Sequence, residues 1–377
     1  MALAWEDLAA LTLARQLPTG AVADAPCAVA AAASAVGPMQ TQTARSAFLG
    51  LAARFPGVTH EAITAAYDRG ELVRGSTIRG TVHTATPHHF AVLGLATRLG
   101  QRRRWTQLLK MADENVEALW AATEDHARDW RAPDELQEHL VAWLADHDSA
   151  QSAELARTQA GRYLAFGHGS LVRRPASGTR WEGQGRPVYR THHGPDDGPV
   201  GGAGPATVAD VVRLHLSRHG PASRHDVAWW SGLPLSRVDD AIAALDVVAE
   251  VGPDGRTYLD VPGAPPPRDL TGVRLLPEFD ALLCAYDPRA RDRFVTPEHH
   301  HRLWNAANGL LLPPLLVDGR ISGYWRLAGT GRSRRVDVTW FSRTRRPSRP
   351  ELADPVAAVE AALGVSVTAV TVTRELV

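Results

Sequence analysis

The chain has 377 residues, 44% hydrophobic and 22% charged, with 41 Lys plus Arg balanced by 41 Asp plus Glu. This is an ordinary globular composition with length for two or three domains and a substantial core. A net charge of zero does not by itself advertise a nucleic-acid partner.

The N-terminal stretch carries Glu6 and Asp7 ahead of any basic residue and sets Leu3, Leu8, Leu11 and Leu17 near helical spacing. It reads as an amphipathic helix over 3–17 and lacks the basic start and apolar run of a signal peptide. The Ala-rich run from Ala21 to Val36 contains Asp24 and Pro26 and falls short of a membrane span. After the break at Gly37-Pro38 a helix is predicted over 43–54, stopped by Pro56-Gly57. Thr59 opens another, with Ile63 and Tyr67 inward, and short strands follow at 72–73 and 77–84. Helix, turn, helix and strand pair is the order of a winged helix, placed at 1–86 together with the N-terminal helices.

Residues 87–195 read as a second, mostly helical winged-helix unit. Leu136, Leu140, Val141 and Leu144 are at helical spacing, and a Gly-rich, strand-like stretch from Arg162 to Arg190 forms a long wing. The clearest linker covers 192–206. Thr207 and Ser223 then cap two helices, a third runs from Ser236 to Leu245, and strands at 247–251 and 257–261 flank the turn Gly252-Pro253-Asp254-Gly255. This is a third winged helix at 207–262. Strands dominate 268–377, with helices at 296–307 and 355–363, and predict a C-terminal β-barrel. The expected fold class is therefore α+β, mainly α with β.

Several constellations bear on chemistry. From Gly319 to Pro350 nine arginines, including Arg332, Arg334 and Arg335, meet one acid, Asp337, on a hairpin whose turn lies between Trp325 and Trp340. Basic strands with aromatics suit a phosphate-gripping element. Arg102-Arg103-Arg104 fits a solvated helix face. His88-His89, His192-His193 and His299-His300-His301 lack helical ligand spacing with a carboxylate, so no metal and no cofactor is expected. Cys27 and Cys284 are far apart in apolar settings, which suits two reduced, packed thiols. Lys110 is the only lysine, so Schiff-base chemistry at a lysine has one candidate. Gln40-Thr41-Gln42 is a weak signal alone. Just after Gly37-Pro38, however, extended backbone would aim both amides at one target, whereas in a helix they would diverge by about 200°.

Met39-Gln40-Thr41-Gln42 and Ile78-Arg79-Gly80-Thr81-Val82-His83 lead an ordered set of short matches. Gly220-Pro221 with Asp226, Trp229, Trp230, Gly232 and Leu233 continues it, then Leu275-Leu276-Pro277-Glu278-Phe279-Asp280, and finally Val317-Asp318-Gly319-Arg320 with Gly323 and Trp325. In this combination the chain resembles the AlkZ-like bacterial winged-helix DNA glycosylases, which excise bulky alkylated bases. The resemblance implies three tandem winged helices plus a C-terminal β-barrel, forming a concave surface across duplex DNA. It implies Gln40 and Gln42 at the glycosidic bond, the second orienting the attacking water. The usual middle residue is aliphatic and here it is Thr41. A related branch carries Asp in place of the second glutamine, so Gln42 points to cationic lesions that already leave readily.

Arg79 and His83, four apart on an expected strand, would line the same channel as DNA contacts, with Arg332, Arg334 and Arg335 on the basic hairpin. The expected protein is a monofunctional DNA glycosylase acting on bulky N7- or N3-alkylated purines in double-stranded DNA, in repair or self-resistance against an alkylating natural product. It is expected to be a cytoplasmic, nucleoid-associated monomer with no membrane association. The alternative is a non-catalytic winged-helix DNA-binding regulator.

Overall fold

The computed structural model describes residues 3–18, 26–176, 180–192, 205–305 and 309–375. Helices α1 (Trp5–Gln16) and α2 (Pro26–Val36) precede a two-residue strand, β1 (Met39–Gln40). Helices α3 (Ser46–Arg54) and α4 (His60–Asp68) then lead into β2 (Val73–Ser76) and β3 (Val82–Ala85). A long helix, α5 (Pro87–Leu109), is followed by α6 (Val116–His126), α7 (Pro133–His147), α8 (Ala150–Ala156) and α9 (Gln159–Leu164), and by the hairpin β4 (Leu171–Pro175) and β5 (Pro187–Thr191). The third unit has α10 (Val208–His219), β6 (Ala222–Ser223), α11 (Arg224–Ser231), α12 (Leu235–Ala243), β7 (Val248–Val251) and β8 (Thr257–Asp260).

The C-terminal part has β9 (Val273–Leu275), α13 (Ala281–Cys284), α14 (Pro297–Leu303), the short pair β10 (Trp304–Asn305) and β11 (Leu310–Leu311), and then β12 (Pro314–Val317). A hairpin of β13 (Arg320–Ala328) and β14 (Ser333–Trp340), helix α15 (Ala353–Leu363) and β15 (Ser366–Arg374) complete it.

Caps read from the sequence are present. The Thr59 hydroxyl accepts from the Ala62 N–H. Thr207 and Ser223 each exchange hydrogen bonds with the residue three positions on, Asp210 and Asp226, so two of the free N–H groups at each helix start are satisfied. Three local expectations are corrected. The helix expected from residue 43 begins at Ser46, because residues 41–45 form a loop. The strand expected over 77–84 is interrupted by a turn at Ile78–Gly80 in which Arg79 takes φ 57°, so pairing starts only at Val82. The stretch expected to be strand-like from Arg162 is still helical in α9. Most of the expected linker falls outside the described residues.

The strands form sheets that ignore the order of the units. β1, β3, β2, β4 and β5 make one five-stranded sheet, so the first unit's strand pair and the second unit's long wing are a single surface. The join is at Gly75 opposite Val172. A Cβ on Gly75 would stand 2.4 Å from the Leu171 carbonyl and 2.7 Å from the Phe90 ring, so this approach needs glycine. A second sheet, in the order β6-β8-β7, completes the third winged helix. The expected terminal barrel is a curled half-barrel in the order β15-β14-β13-β12-β9, antiparallel apart from the β14–β15 pair that α15 connects.

The cores also cross unit boundaries. Phe48, Leu51, Ile63 and Tyr67 of the first unit share one core with Leu275, Leu315, Trp325, Val336 and Val359 of the C-terminal part. Leu13 and Leu17 pack instead with Val211, Leu216, Trp230 and Phe294, so α1 docks on the third unit. There Arg15 pairs with Asp260 at 2.6 Å. The segment Glu278-Phe279-Asp280 seals the junction. Arg54 donates to both oxygens of Asp280 at 2.9 and 3.1 Å, with both side chains essentially excluded from water, and also to Gln16 Oε1 at 3.1 Å. Removing one partner of such a pair strands a buried charge. Asp280→Ala is expected to cost about 3–5 kcal/mol in urea denaturation; a loss below about 1 kcal/mol would show the pair to be dispensable.

Candidate active site

Gly37-Pro38 turns the chain out of α2 and into β1. Gly37 sits at φ 87°, and a Cβ there would press on the Arg218 side chain at 3.0 Å, so both backbone and space call for glycine. β1 then pairs antiparallel with β3, Met39 opposite Thr84 and Gln40 opposite His83, and the Thr41 N–H extends the pairing by donating to the Val82 carbonyl at 2.7 Å. Extended backbone alternates sides. Met39 and Thr41 accordingly point inward, Gln40 is half-buried and Gln42 is exposed.

Thr41, the residue off the family's pattern, is 2% exposed. Its hydroxyl lies 3.2 Å from that of Thr84, which is 2.7 Å from the Tyr67 hydroxyl. The extra oxygen is thus absorbed into a buried hydroxyl chain, and the loop carries no unsatisfied group on its account.

Gln42 Oε1 accepts from the Val82 N–H at 3.3 Å. That bond fixes which end of the amide is which and leaves the oxygen's second lone pair and the NH₂ group for a ligand. Gln40 Oε1 receives the Arg79 Nη2 at 3.5 Å. The Arg79 guanidinium is depressed by burial and also lies over the Trp229 ring, 5.8 Å from its centroid. His83 is placed otherwise than expected. It is 2% exposed, its Nδ1 is 2.8 Å from the Thr77 hydroxyl, and burial with the nearby Arg79 charge pushes its pKa down to about 3. A neutral, enclosed ring braces the β2–β3 turn and presents no surface to a nucleic acid.

Two narrow clefts flank the motif, each with about 10 Å³ of free space, room for roughly one water. Thr41, Gln42, Arg74 and Arg173 line the first. Sequence reasoning missed Arg74: it is buried, donates to the carbonyls of Ala44 and Trp181 at 3.3 and 3.1 Å, and so ties the loop after Gln42 to the second unit's wing. The second cleft is lined by Met39, Gln40, Phe279 and Asp280, whose carboxylate is already committed to Arg54. Among the described residues no group of three or more His, Cys, Asp or Glu side chains could hold a metal ion. The Cys284 side chain is half-buried, and desolvation pushes its thiol up to about 11; the Cys27 side chain lies outside the described residues.

The basic hairpin is present, with its charge partly spent. Arg335 makes two hydrogen bonds to Asp337 at 2.8 and 2.9 Å, Arg334 donates to the Gly329 carbonyl, and Arg332 is exposed near the tip. Arg345 pairs with Asp318 and Glu351. Those two acids lie just outside the run counted in the sequence, so the fold neutralises more of it than spacing suggested.

The family model for "DNA glycosylase AlkZ-like" matches residues 33–362. The chain belongs to the AlkZ-like DNA glycosylase family. Among solved structures, this AlkZ-like chain is similar to Streptomyces sahachiroi DNA glycosylase AlkZ at a TM-score of 0.75 and 20% identity, over 99% of this chain and 100% of the other. That likeness is one of fold. No curated protein sequence matches. Among the described residues no helix of the AlkZ-like chain is long and apolar enough to cross a membrane.

The His83 proton gives a direct test of the site's electrostatics. The unfolded chain takes it up near 6.5 and the folded chain only near 3, so this residue's contribution to stability is complete above 6.5 and is lost as pH falls toward 3. Nitrogen-detected NMR of the His83 ring is expected to show a neutral imidazole down to about pH 4; an ordinary titration near 6.5 would contradict the burial.

Proposed function

We propose that this DNA glycosylase hydrolyses the N-glycosidic bond of bulky, cationic N7- or N3-alkylated purines in double-stranded DNA, with Gln40 and Gln42 as its catalytic residues. The observation that carries the reading is the state of Gln42: exposed, its amide oriented by the Val82 N–H, with one oxygen lone pair still open. An amide oxygen so held can accept one hydrogen of a water and aim the water's own lone pair at C1′. The C1′–N bond breaks with its electrons going to the alkylated base, which leaves neutral, and the water's proton passes to solvent. Alkylation has already made the leaving group good, so positioning rather than strong base is the enzyme's main contribution.

Gln40, polarised by Arg79, is set to donate its NH₂ toward the lesion nucleotide. His83 acts through β3 by keeping the turn that carries Arg79 in place. Arg79 and the hairpin's Arg332, Arg334 and Arg335 supply DNA contacts, Arg332 being the most available of the three. The reaction is monofunctional. Lys110 follows the end of α5, nine residues beyond Gln101, whose side chain touches the Thr77 carbonyl at 3.3 Å; at 1.5 Å per residue that is roughly 13 Å further along the helix. A monomer acting in repair, or in self-resistance to an alkylating metabolite, is the setting this chemistry fits.

Release of an N7-alkylguanine from duplex DNA tests the reading. Wild type is expected to free the base and leave the strand uncut until alkali is added. Gln42→Ala is expected to fall at least about 100-fold with its melting temperature unchanged. Equal release by both proteins, or none by either across several alkylators, would return the chain to the DNA-binding regulator. Strand cleavage that depends on Lys110 would end the monofunctional assignment.

A further inference from the structure

Beside Gln40 the structure gathers two guanidinium groups that, among the described residues, form no ion pair. Trp229, near the end of α11, is 40% exposed and so offers one ring face to passing groups. The Arg79 guanidinium lies over it at 5.8 Å from the ring centroid, and that of Arg291, from the turn Pro288–Arg293, lies over it at 5.5 Å. Among the described residues neither arginine has a carboxylate within ion-pair distance, and the Nε of each is buried without a partner. Burial depresses both guanidinium groups; the Arg79 charge lowers Arg291 further, and Asp287 and Asp226, beyond ion-pair distance and facing Arg256 and Arg293, offset this only in part. Among the described residues the Arg291 side chain hydrogen-bonds only with His300 Nε2, at 3.2 Å; burial holds that imidazole at about 4, so at neutral pH it can accept from the guanidinium without adding charge.

Two half-buried cations beside each other are costly, and an indole supplies cation–π attraction without removing the charge. An anion completes such a site. Arg79 also touches Gln40, so the anion belongs close to the reacting nucleotide, and the phosphates on either side of a nucleotide are the anions nearest its C1′. We propose that Arg79 and Arg291, braced on Trp229, grip a backbone phosphate adjoining the lesion nucleotide and so set C1′ against the glutamines. The three residues come from the first unit, the third winged helix and the C-terminal part, so the grip exists only when these are docked together. This rests on the proposed glycosylase reaction and names the DNA group that holds its substrate in register.

The test is a binding cycle on a duplex carrying a tetrahydrofuran abasic site, in which one nearby phosphate at a time is replaced by a neutral methylphosphonate. At one position the replacement is expected to weaken wild type about tenfold. Arg79→Gln and Arg291→Gln are each expected to weaken the all-phosphate duplex about tenfold and to lower the salt dependence by about one phosphate contact. On the duplex with that one methylphosphonate they should bind as wild type does. Arg291→Lys should recover part of the loss, which a purely structural role would not produce. Losses that simply add to those of the methylphosphonate at every position, or an unchanged salt dependence, would overturn the grip. Base release by wild type, measured alongside, separates the two ideas: release with additive losses removes only the grip, while coupling without release removes only the glycosylase reaction.

Discussion

The site depends on two residues of β1 lying against β3. That pairing, extended by the Thr41 N–H, holds residues 39–41 extended, and extended backbone is what separates the inward Met39 and Thr41 from the outward glutamines. It also puts the Val82 N–H, the next donor along β3, where it orients the Gln42 amide. A helix begun a few residues earlier would have turned the two amides apart.

So short a strand cannot hold itself, and the fold braces it from several directions. Thr41 is tied through Thr84 to Tyr67 in the core shared with the C-terminal sheet. Arg74 links the following loop to the second unit's wing. The Arg54–Asp280 pair and the contacts of Arg45 and Ser46 with Glu278 fix α3, just beyond the motif, to the segment after β9. Units that follow one another along the chain are therefore not independent: one sheet joins the first two, and one core joins the first to the last.

Much of this was legible in the sequence, for identifiable reasons. The third winged helix announced itself because Thr207, Ser223, the apolar spacing of α10 and the Gly252–Gly255 turn are all local signals. The alternating burial of Met39, Gln40, Thr41 and Gln42 followed from Gly37-Pro38 and the period of extended backbone. The break at Arg79 escaped notice because a non-glycine residue at positive φ interrupts an alternation that otherwise looks regular. His83 read as a channel residue because the alternation was carried unbroken through the turn at Arg79, while its enclosure comes from tertiary packing. The pairing of Arg79 with Arg291 around Trp229, and the partners of Arg345, join residues whose spacing carries no local pattern.

The most direct measurement is a crystal structure of the protein on duplex DNA carrying a cationic 1-aza-sugar in place of the lesion nucleotide's deoxyribose. The expected result is a water held between Gln42 Oε1 and the position of C1′, on the face opposite the departed base, with Gln40 beside the same sugar. A complex in which the DNA lies on the winged helices while both glutamines stay away from the sugar would contradict it.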